Sequence, residues 1–556
     1  MKRNGMCPIC YLRSLFRKKV VDSVKDIPYD NDTRKTPLMG WSTWNTFANH
    51  VSEKLILDTA KAMKDNGLVD AGYVYVNIDD NWQSGSRDKE GNLVADFTTF
   101  PRGIAPLVKD INSMGMKLGI YSSNGTLTCE DMPAGINNEY KDAYTYAKWG
   151  CEYLKYDFCH NIKIPPYAPL IYGIEIAPFG TDESETILCN NAKLEGLAKF
   201  MPCKKLENGQ YISGLDAAQG KAIFKVNVKK AGDYSFTILI RKYGKKYDKF
   251  LTVKVNGDDS YYITCPGQKK INVTGRFQTV VKLNEGENII ELFNPINNSM
   301  ASAKLLYRRM ANALIDASYR VAKENGEDRK PITFSICEWG FRKPWLWGYS
   351  AGNMWRTTPD IKAWWPWMML IYGRNVKLYK YASPSHFNDP DMLEVGNGKL
   401  TYDENMAHFA LWCMMASPLV LGNDIRNITK PVLDIVTNKD LIAIDQDILC
   451  KQAKRVIKGG VDVLAKPLED GIAVCFFNKG REKKNFKFDP SILVKDDYIA
   501  ADEINSYTIQ NIVGETKLDG IIVSGDIPKH GVIVFKYKKW EILSLNILED
   551  QGKSWY

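Results

Sequence analysis

The sequence predicts an α/β fold, a (β/α)8 TIM barrel with an inserted β-sandwich and a C-terminal antiparallel β-sandwich domain. Three observations predict it. A helix, a glycine and an apolar strand recur as a unit, one interval between two such units is far too long for a connection, and the last part of the chain alternates short strands with turn signals. The chain of 556 residues is long enough for two or three domains of this kind.

The recurring unit is a helix that ends at a glycine and leads into a strand. In its first copy, Ile56, Ala60 and Met63 have helical spacing, Gly67 follows the helix, and residues 73–78 form the strand. Three further copies end in strands at 116–121, 151–157 and 332–337. Since these strands are apolar without alternation, we expect a parallel sheet covered by helices, and the number of units favours a closed barrel over an open sheet.

The interval between the last two of these strands is the exception. It runs over 175 residues from Asp157 to Ile332, whereas a βα unit needs about 30 to 50. Within it, short strand patterns lie at 222–228, 234–240, 251–255, 261–264, 277–283 and 289–292, with Asn256-Gly257 as a hairpin turn. These patterns predict an inserted β-sandwich.

Short strands such as 461–464 and 472–477 return near the end of the chain, with Asp470-Gly471 as a turn between them. The predicted organisation is a basic N-terminal tail at 1–35, the first part of the barrel at 36–162, the insert at 163–305, the second part of the barrel at 306–445, a C-terminal β-domain at 446–540 and a C-terminal tail at 541–556.

Composition and charge exclude several classes of protein. No run of about 18 apolar residues is present, so we expect no membrane-spanning helix. Of the formal net charge of +9, the first 35 residues carry +5 (nine Lys or Arg against four Asp or Glu), and the remaining +4 is too weak to favour nucleic acid as a partner. Cys7-x-x-Cys10 lacks the four ligands of a zinc site. Without a recognisable secretory signal, a cytoplasmic location is the default expectation, and a secreted or cell-surface protein is the alternative.

Charged residues cluster at the C-terminal ends of the predicted barrel strands, the face on which such barrels build active sites. Lys155 and Asp157 are two residues apart on one strand, so their side chains point to the same side. A cation beside a carboxylate lowers the carboxylate pKa and keeps it ionised, which suits Asp157 as a nucleophile. A buried salt bridge that only closes the barrel is the alternative.

Asp360 is the candidate for the second catalytic carboxylate. It follows the predicted strand end at Cys337-Glu338-Trp339-Gly340 by a helix-length interval, and converging strands can bring it to Asp157. If one acid stays charged and the other is protonated, the pair can hydrolyse a glycosidic bond, with a gap of about 5–5.5 Å for retention or about 6.5–9.5 Å for inversion.

The neighbourhood of these motifs is rich in tryptophan. Flat aromatic faces stack on the apolar faces of pyranose rings, and Asp79 and Asp80 supply acceptors for sugar hydroxyls. We expect about half of the tryptophans to be simple core, while the adjacent carboxylates at strand ends favour a sugar site in this neighbourhood. The ten tryptophans are Trp41, Trp44, Trp82, Trp339, Trp345, Trp347, Trp355, Trp364, Trp365 and Trp367.

Six motifs together resemble glycoside hydrolase family 27, the α-galactosidase or melibiase family. They occur in the order of that family and cover the barrel from about residue 36 to 445 apart from the insert. The motifs are Met39-Gly40-Trp41-Ser42-Thr43-Trp44-Asn45, Asn77-Ile78-Asp79-Asp80-Asn81-Trp82, Lys155-Tyr156-Asp157, Cys337-Glu338-Trp339-Gly340, Trp355-Arg356-Thr357-Thr358-Pro359-Asp360-Ile361 and Asn388-Asp389-Pro390-Asp391-Met392-Leu393.

The resemblance implies a retaining exo-α-galactosidase that removes terminal non-reducing α-D-galactose from oligosaccharides or glycoconjugates without a cofactor in the chemistry. Asp157 is then the nucleophile and Asp360 the general acid/base. The residues expected to bind substrate are Trp44, Asp79, Asp80, Tyr121, Lys155, Cys337, Trp339, Arg356 and Met392.

Specificity within this family turns on few positions. Cys337 and Trp339 resemble members that exclude an N-acetyl group at the sugar 2-position, and the pair Asp79 and Asp80 favours galactose over arabinose. The alternatives that stay open are a β-L-arabinopyranosidase, an α-N-acetylgalactosaminidase and a catalytically idle sugar-binding protein.

Two further expectations come from resemblance. Cys129 and Cys159 match a family pair that is joined by a disulfide, which conflicts with a cytoplasmic location. The insert resembles carbohydrate-binding modules of family 35 in 220–232, 234–241 and 283–292, and such modules often hold a structural calcium. Two interpretations of the insert stay open, a domain that caps the active-site mouth and contacts substrate, or a structural insert only.

Overall fold

The computed structural model describes residues 27–242, 247–267, 273–496, 498, 500, 507–519 and 521–539. Two compact units are present, one containing Asn161–Asn312 and the other containing Tyr29–His160 and the chain from Ala313 onwards. The motif Cys7-x-x-Cys10 and the predicted tail at 541–556 lie outside the described residues.

The barrel begins with four parallel strands that are buried almost throughout. They are β1 (Met39–Ser42), β2 (Tyr75–Asn77), β3 (Lys117–Ser123) and β4 (Tyr153–Asp157), and the helices beside them are α1 (Trp44–Phe47), α2 (Glu53–Asp65), α3 (Ile104–Ser113) and α4 (Glu139–Trp149). Helix α2 begins at Ser52, whose side chain accepts from the backbone N–H of Leu55, and α4 ends at Gly150 in a left-handed conformation. Burial on both faces explains why these strands lack polar alternation.

After β4 the chain forms a β-sandwich of two antiparallel sheets in the other unit. Its strands are β5 (Leu170–Pro178), β6 (Glu185–Leu188), β7 (Lys193–Gly196), β8 (Lys199–Pro202), β9 (Gln210–Ser213), β10 (Gly220–Val228), β11 (Gly232–Lys242), β12 (Lys249–Val255), β13 (Asp258–Cys265), β14 (Val273–Leu283) and β15 (Gly286–Phe293). One sheet has the order β13-β12-β15-β10-β7, and the other has the order β14-β11-β5-β9-β8 with β6 beside β5.

All six strands predicted for the insert are present as β10 to β15. The predicted turn at Asn256-Gly257 joins β12 to β13, with Val255 opposite Asp258 and positive φ at both turn residues. Alternate residues such as Phe224 and Val226 face the core between the two sheets, which explains the period of two in this part of the sequence. Strands β5 to β9 were not predicted, because most of them are short or half exposed and carry a weak apolar pattern.

The second half of the barrel follows a long helix. Helix α5 (Ser299–Asn325) leads to β16 (Thr333–Ile336), β17 (Met354–Arg356), β18 (Phe387–Asp389) and β19 (Leu419–Leu421), with α6 (Trp365–Asn375), α7 (Tyr402–Met414), α8 (Lys430–Val436) and α9 (Lys439–Asp445). The parallel sheet has the order β18-β17-β16-β4-β3-β2-β1-β19, and a bridge between Leu393 and Leu421 closes it. The predicted (β/α)8 barrel is confirmed.

The C-terminal domain is also a sandwich of antiparallel sheets. It comprises β20 (Lys454–Ile457), β21 (Val461–Leu468), β22 (Gly471–Asn478), β23 (Lys484–Phe488), α10 (Ser491–Lys495), β24 (Tyr507–Val513), β25 (Lys517–Asp519), β26 (Ile522–Ile527) and β27 (Val532–Lys539). The sheets have the orders β20-β21-β22-β27-β24 and β23-β26-β25, and Val474, Phe476 and Phe535 lie in the core between them. This prediction is confirmed as well.

The residues just before β1 pack on the barrel. Tyr29 is buried and donates its backbone N–H to the carbonyl of Tyr349, and Asn31 Nδ2 donates to the carbonyl of Ile332 at 2.8 Å. Part of the segment assigned to the tail at 1–35 is therefore ordered structure. Among the described residues, none of the helices combines the length and the apolar character that a bilayer crossing requires.

Candidate active site

The predicted catalytic residues lie at or just after the C-terminal ends of barrel strands β4 and β17, which are separated by β16 in the sheet. Asp157 is the last residue of β4, Arg356 is the last residue of β17, and Asp360 follows in the next loop. Asp79 comes two residues after β2. Since parallel strands in a closed barrel end at one rim, side chains from distant parts of the sequence converge there.

Lys155 on β4 forms the first ion pair of the site. Its Nζ lies 2.8 Å from Asp79 Oδ2, and it lies 5.1 Å from the centre of the Tyr121 ring. Lys155 and Asp157 were predicted to lie on the same side of β4, but the close partner of the Lys155 charge is Asp79, which follows β2, two strands away in the sheet. A lysine shared in this way stabilises Asp79 more than it stabilises Asp157.

Asp157 is buried and accepts two hydrogen bonds. Its Oδ2 accepts from the Tyr121 hydroxyl at 3.2 Å, and its Oδ1 accepts from the backbone N–H of Phe158 at 2.8 Å. Burial raises the pKa of Asp157 to about 6, more than Lys155 lowers it, and the nearby charges of Asp79 and Asp360 raise it further. Lys155 therefore lowers the pKa of Asp157 as predicted, but the removal of water outweighs this effect, so the prediction that the pKa is held low is wrong.

Asp360 has the opposite electrostatic environment. Its side chain is 62% exposed, its Oδ1 lies 2.7 Å from Arg356 Nη2, and its backbone carbonyl accepts from Trp367 Nε1 at 2.7 Å. Partial burial raises the pKa of Asp360, but the charges of Arg356 and Lys155 outweigh it and hold the pKa below its ordinary value. The free protein therefore holds Asp360 as an anion paired to Arg356.

Asp391 is a site residue to which the sequence analysis gave no role. It is buried, its Oδ2 lies 2.8 Å from Arg356 Nη2, and the same oxygen accepts from the backbone N–H of Ile361 at 2.7 Å. Burial raises its pKa to about 7, which the Arg356 charge opposes and Asp360 and Asp389 reinforce. The signal was available, because acidic residues directly after a barrel strand had already singled out Asp79 and Asp80.

Asp80 is fixed by backbone donors from two loops. Its Oδ1 accepts from the N–H of Asn81 at 2.8 Å and its Oδ2 from the N–H of Glu130 at 3.0 Å. Burial raises the pKa of Asp80 to about 6, although these hydrogen bonds lower it. The neighbouring Cys129 forms a disulfide with Cys159, which confirms the predicted pairing and joins the loop after β3 to the loop after β4.

The remaining predicted site residues surround the charged groups. Asp79, Lys155, Arg356, Asp391 and Met392 line one cavity at the barrel centre. The apolar cluster that contains Met392 is also packed by Trp44.

Cys337 and Trp339 follow β16. Cys337 is buried, with its Sγ 3.8 Å from Arg356 Nη1. Trp339 adopts a left-handed conformation with φ of 57°, which a bulky residue rarely does and which costs of order 1–3 kcal/mol. Such strain is typical of a side chain that the surrounding structure holds in one position.

The ten tryptophans differ in burial, and four of them are core, close to the half that was expected. Four are buried in the core, five are partly buried, and Trp364 is exposed. The buried ones are Trp41, Trp82, Trp347 and Trp355, and the partly buried ones are Trp44, Trp339, Trp345, Trp365 and Trp367.

The described residues contain one group of side chains close enough to bind a metal ion, namely Cys129, Asp157 and Cys159. Two of its three members form the disulfide, so the group lacks free thiolates for a metal. The described part of the insert contains no such group of three His, Cys, Asp or Glu side chains. The expectation of a structural calcium therefore depends on the resemblance alone.

Comparison with known proteins identifies the family. The chain is 31% identical over 520 residues to "Alpha-galactosidase A" of Cellvibrio japonicus, a match that covers 90% of this chain and 92% of that protein. The chain belongs to the melibiase family of glycoside hydrolases. "Alpha-galactosidase 2" of Arabidopsis thaliana is also 31% identical, over 82% of this chain and 78% of that protein.

The family models and the solved structures agree with this assignment. The melibiase model described as "Alpha galactosidase A" matches residues 36–166 and 324–447, and the model described as "Alpha galactosidase C-terminal beta sandwich domain" matches 458–537. The crystal structure of α-galactosidase I from Mortierella vinacea is 27% identical with a TM-score of 0.61, covering 91% of this chain and 98% of that one. Most of the insert lies between the two ranges that the first melibiase model matches.

Proposed function

We propose that this chain is a retaining exo-α-galactosidase that removes terminal non-reducing α-D-galactose from oligosaccharides or glycoconjugates by double displacement. The observation that carries the proposal is the pair Asp157 and Asp360 at adjacent regions of the barrel rim, beside the sugar-hydroxyl acceptors Asp79 and Asp80. Membership in the melibiase family, whose curated relatives are named α-galactosidases, supports the same reaction.

In the first displacement, Asp157 attacks the anomeric carbon while Asp360 protonates the glycosidic oxygen that leaves with the aglycone. The product is a galactosyl ester of Asp157. In the second displacement, Asp360 takes a proton from water, the water attacks the anomeric carbon, and the bond to Asp157 breaks. Two inversions at one carbon give net retention of configuration, and no cofactor enters either step.

The proton needed for the first displacement has to be on Asp360. In the free protein burial makes Asp157 the better proton acceptor, since its pKa is about 6 whereas Arg356 lowers the pKa of Asp360. Bound substrate reverses this preference. An aglycone over the exposed Asp360 removes water from it, and sugar hydroxyls that engage Arg356 weaken the ion pair, so both changes raise the pKa of Asp360.

The carboxylates at the opposite side of the site hold the sugar. Asp79, fixed by Lys155, and Asp80, fixed by the N–H groups of Asn81 and Glu130, offer oxygen acceptors to two neighbouring hydroxyls of galactose. Trp339 is assigned, by its resemblance to family members, to exclude a larger group at the 2-position. The bulk of Trp339 favours galactose over N-acetylgalactosamine, and the pair Asp79 and Asp80 favours galactose over arabinose.

An initial-rate comparison tests this proposal. Aryl α-D-galactoside, aryl α-N-acetylgalactosaminide and aryl β-L-arabinopyranoside are offered to the full chain, with Asp157→Ala as the blank. We expect hydrolysis of the galactoside only, with α-galactose as the first anomer detected by NMR. Preference for another glycoside would contradict the pocket assignment, and β-galactose as the first product would contradict retention.

The insert is proposed to be a carbohydrate-binding domain of the family 35 type, because its two-sheet sandwich agrees with the resemblance of its sequence. The test is retention of the Asp157→Ala chain on an α-galactosylated polysaccharide in saturating free galactose, which fills the active site. Continued retention is the expected result, and its reduction by EDTA would support a structural calcium. Complete release by galactose would leave the insert without a sugar-binding role.

The disulfide bears on the location of the protein. A pair that joins two active-site loops persists in oxidising compartments and seldom in the cytosol. We therefore favour an extracytoplasmic location over the cytoplasmic default. Mass spectrometry of unreduced protein purified from its native cells should show Cys129 linked to Cys159, whereas free thiols at both positions would restore the cytoplasmic expectation.

A further inference from the structure

We propose that Trp364 and Phe341 form an aglycone platform, a pair of exposed rings on which the first sugar ring of the aglycone stacks next to the bound galactose. The inference rests on the proposed function, since it names the substrate class of the same site. Trp364 is 61% exposed and Phe341 is 69% exposed. Aromatic rings this exposed beside a catalytic carboxylate offer apolar area that a ligand can cover.

The two rings project from loops that are packed against each other. Phe341 lies in the loop after β16 and Trp364 in the loop after β17. Between them, Gly340 has a φ of +76°, and a Cβ placed on it would lie 2.2 Å from the carbonyl oxygen of Thr357. Only glycine permits this approach, so the backbones of the two loops are in direct contact.

Two hydrogen bonds made by Trp367 connect Trp364 to Asp360, the proposed general acid. The backbone N–H of Trp367 donates to the carbonyl of Trp364 at 3.0 Å, while the Trp367 indole donates to the carbonyl of Asp360 at 2.7 Å. Because Asp360 protonates the oxygen that links galactose to the aglycone, the first group of the aglycone has to lie beside Asp360. The same turn therefore places an exposed ring beside that group.

Phe341 packs against a residue on the galactose side of the proposed site. Its ring packs edge-on against Trp339, with centroids 6.1 Å apart and an interplanar angle of 66°. Trp339 is the residue assigned to the sugar 2-position. The platform thus extends from the galactose pocket towards the aglycone side, as a binding site for a second ring requires.

The chemistry around the rings favours a sugar over an alkyl chain. Lys343 and Lys362, both exposed, flank Phe341 and Trp364 in the two loops, and Lys362 Nζ lies 5.6 Å from the centre of the Trp367 ring. A pyranose presents an apolar face to an aromatic ring and hydroxyls to lysine at its edge. A lipid chain needs continuous apolar surface, whereas the two exposed lysines in these loops favour a partner with hydroxyls.

The experiment compares substrates with and without an aglycone ring on the full chain. α-D-Galactosyl fluoride has no ring to stack, whereas an α-1,6-galactosyl disaccharide places a hexose in the aglycone position. Trp364→Ala should lower kcat/KM for the disaccharide about tenfold and leave the fluoride unchanged, and Phe341→Ala should lower kcat/KM more for the disaccharide than for the fluoride. Trp364→Phe should restore most of the loss. Tyr319→Ala is the matched control, since Tyr319 is 55% exposed near the end of α5 that leads to the opposite rim.

The outcomes separate this inference from the proposed function. If the unaltered chain does not hydrolyse galactosyl fluoride, the proposed function fails. If it does, but Trp364→Ala lowers kcat/KM equally for both substrates or for neither, the aglycone platform is overturned. A disaccharide that the unaltered chain does not cleave, or an α-galactosyl lipid that is more sensitive to Trp364→Ala than the disaccharide, would overturn the sugar assignment as well.

Discussion

Two buried acidic sites in the same unit use the same residue types to different ends. At the barrel rim, carboxylates outnumber cations: Lys155 and Arg356 face Asp79, Asp157, Asp360, Asp389 and Asp391. In the C-terminal domain, the single carboxylate of Asp462 is surrounded by donors. It lies 3.1 Å from Arg455 Nη1 and 2.8 Å from Lys479 Nζ, and it accepts from the Tyr372 hydroxyl at 2.9 Å.

The two sites differ in the pKa of their carboxylates. Burial raises the pKa of Asp157 at the rim, where cations are scarce. At Asp462 burial acts in the same direction, but Lys479, the N–H of Gly459 and Tyr372 outweigh it and lower the pKa. A buried carboxylate with too few partners is ready to exchange a proton or bond to substrate, whereas a fully partnered one holds the fold together.

Matched substitutions should separate turnover from folding. Asp157→Asn removes the nucleophile and should lower kcat for an aryl α-galactoside by about 10⁴-fold or more. Asp462→Asn should leave kcat per folded molecule within about twofold, since Asp462 belongs to the C-terminal domain and does not reach the rim. Kinetics on both variants, with circular dichroism to count folded molecules, provide the measurement. Substantial activity in Asp157→Asn would refute the nucleophile assignment.

Asp462→Asn should lower the stability of the fold, although it leaves turnover almost unchanged. Asp462→Asn leaves Arg455 and Lys479 partly buried without their counter-charge, which should cost roughly 2–4 kcal/mol in the free energy of unfolding. Urea unfolding of the full chain, followed by fluorescence, would measure it. A loss below about 0.5 kcal/mol would mean that the cluster is a surface-like ion pair and not a structural one.

The pH dependence of stability should distinguish the two carboxylates. Asp157 binds its proton more tightly in the folded than in the unfolded state, so its contribution to stability falls as pH rises from about 4 to about 6. Asp157→Asn should therefore be more stable than the unaltered chain by roughly 2 kcal/mol at pH 7.5, with the difference vanishing near pH 4. The deficit of Asp462→Asn, with its lowered pKa, should persist down to pH 4. Unfolding curves of the two variants and of the unaltered chain at pH 4 and pH 7.5 would measure these differences in stability.

The smallest expected effect concerns the pH profile of catalysis. Asp157 and Asp360 together carry one proton, which they lose above about pH 6, where Asp157 titrates. Because the first displacement needs that proton, kcat/KM should decline above this pH. Tyr121→Phe removes a hydrogen bond to the Asp157 anion and should move this decline upward by about half a pH unit. Rate profiles from pH 3 to 8 would measure the shift. A kcat/KM that does not decline up to pH 8 would exclude Asp157 as the titrating group.

Much of the barrel was predictable because its signals are local. Helical spacing, a glycine at the helix end and an apolar strand occur within about thirty residues, and each unit has the same physical reason to form. The two sandwiches were predicted where alternation and turn residues were strong, as at Asn256-Gly257. Strands β6 to β8 were missed because short, half-exposed strands depend on pairing with partners that the local sequence does not specify.

The candidate active site also has features that the sequence predicts and features that it does not. The identities of Asp157, Asp360 and their neighbours could be proposed from strand ends and motifs, because chemistry follows residue type and barrel topology. The ion-pair partner of each charged group could not be predicted from the sequence. Lys155 on β4 pairs with Asp79 just after β2, and Asp391 just after β18 pairs with Arg356 at the end of β17. Such distances depend on how the strands converge.

The sequence by itself determined the family, the fold class and the set of polar residues at the rim. Only the tertiary structure decided which carboxylates are protonated more easily, which rings stay exposed and which loops touch. The physical reason is that a pKa, an exposed ring and a backbone contact such as that of Gly340 with Thr357 all depend on the distance from groups far away in sequence and on the exclusion of water, and neither is a property of any local stretch of the chain.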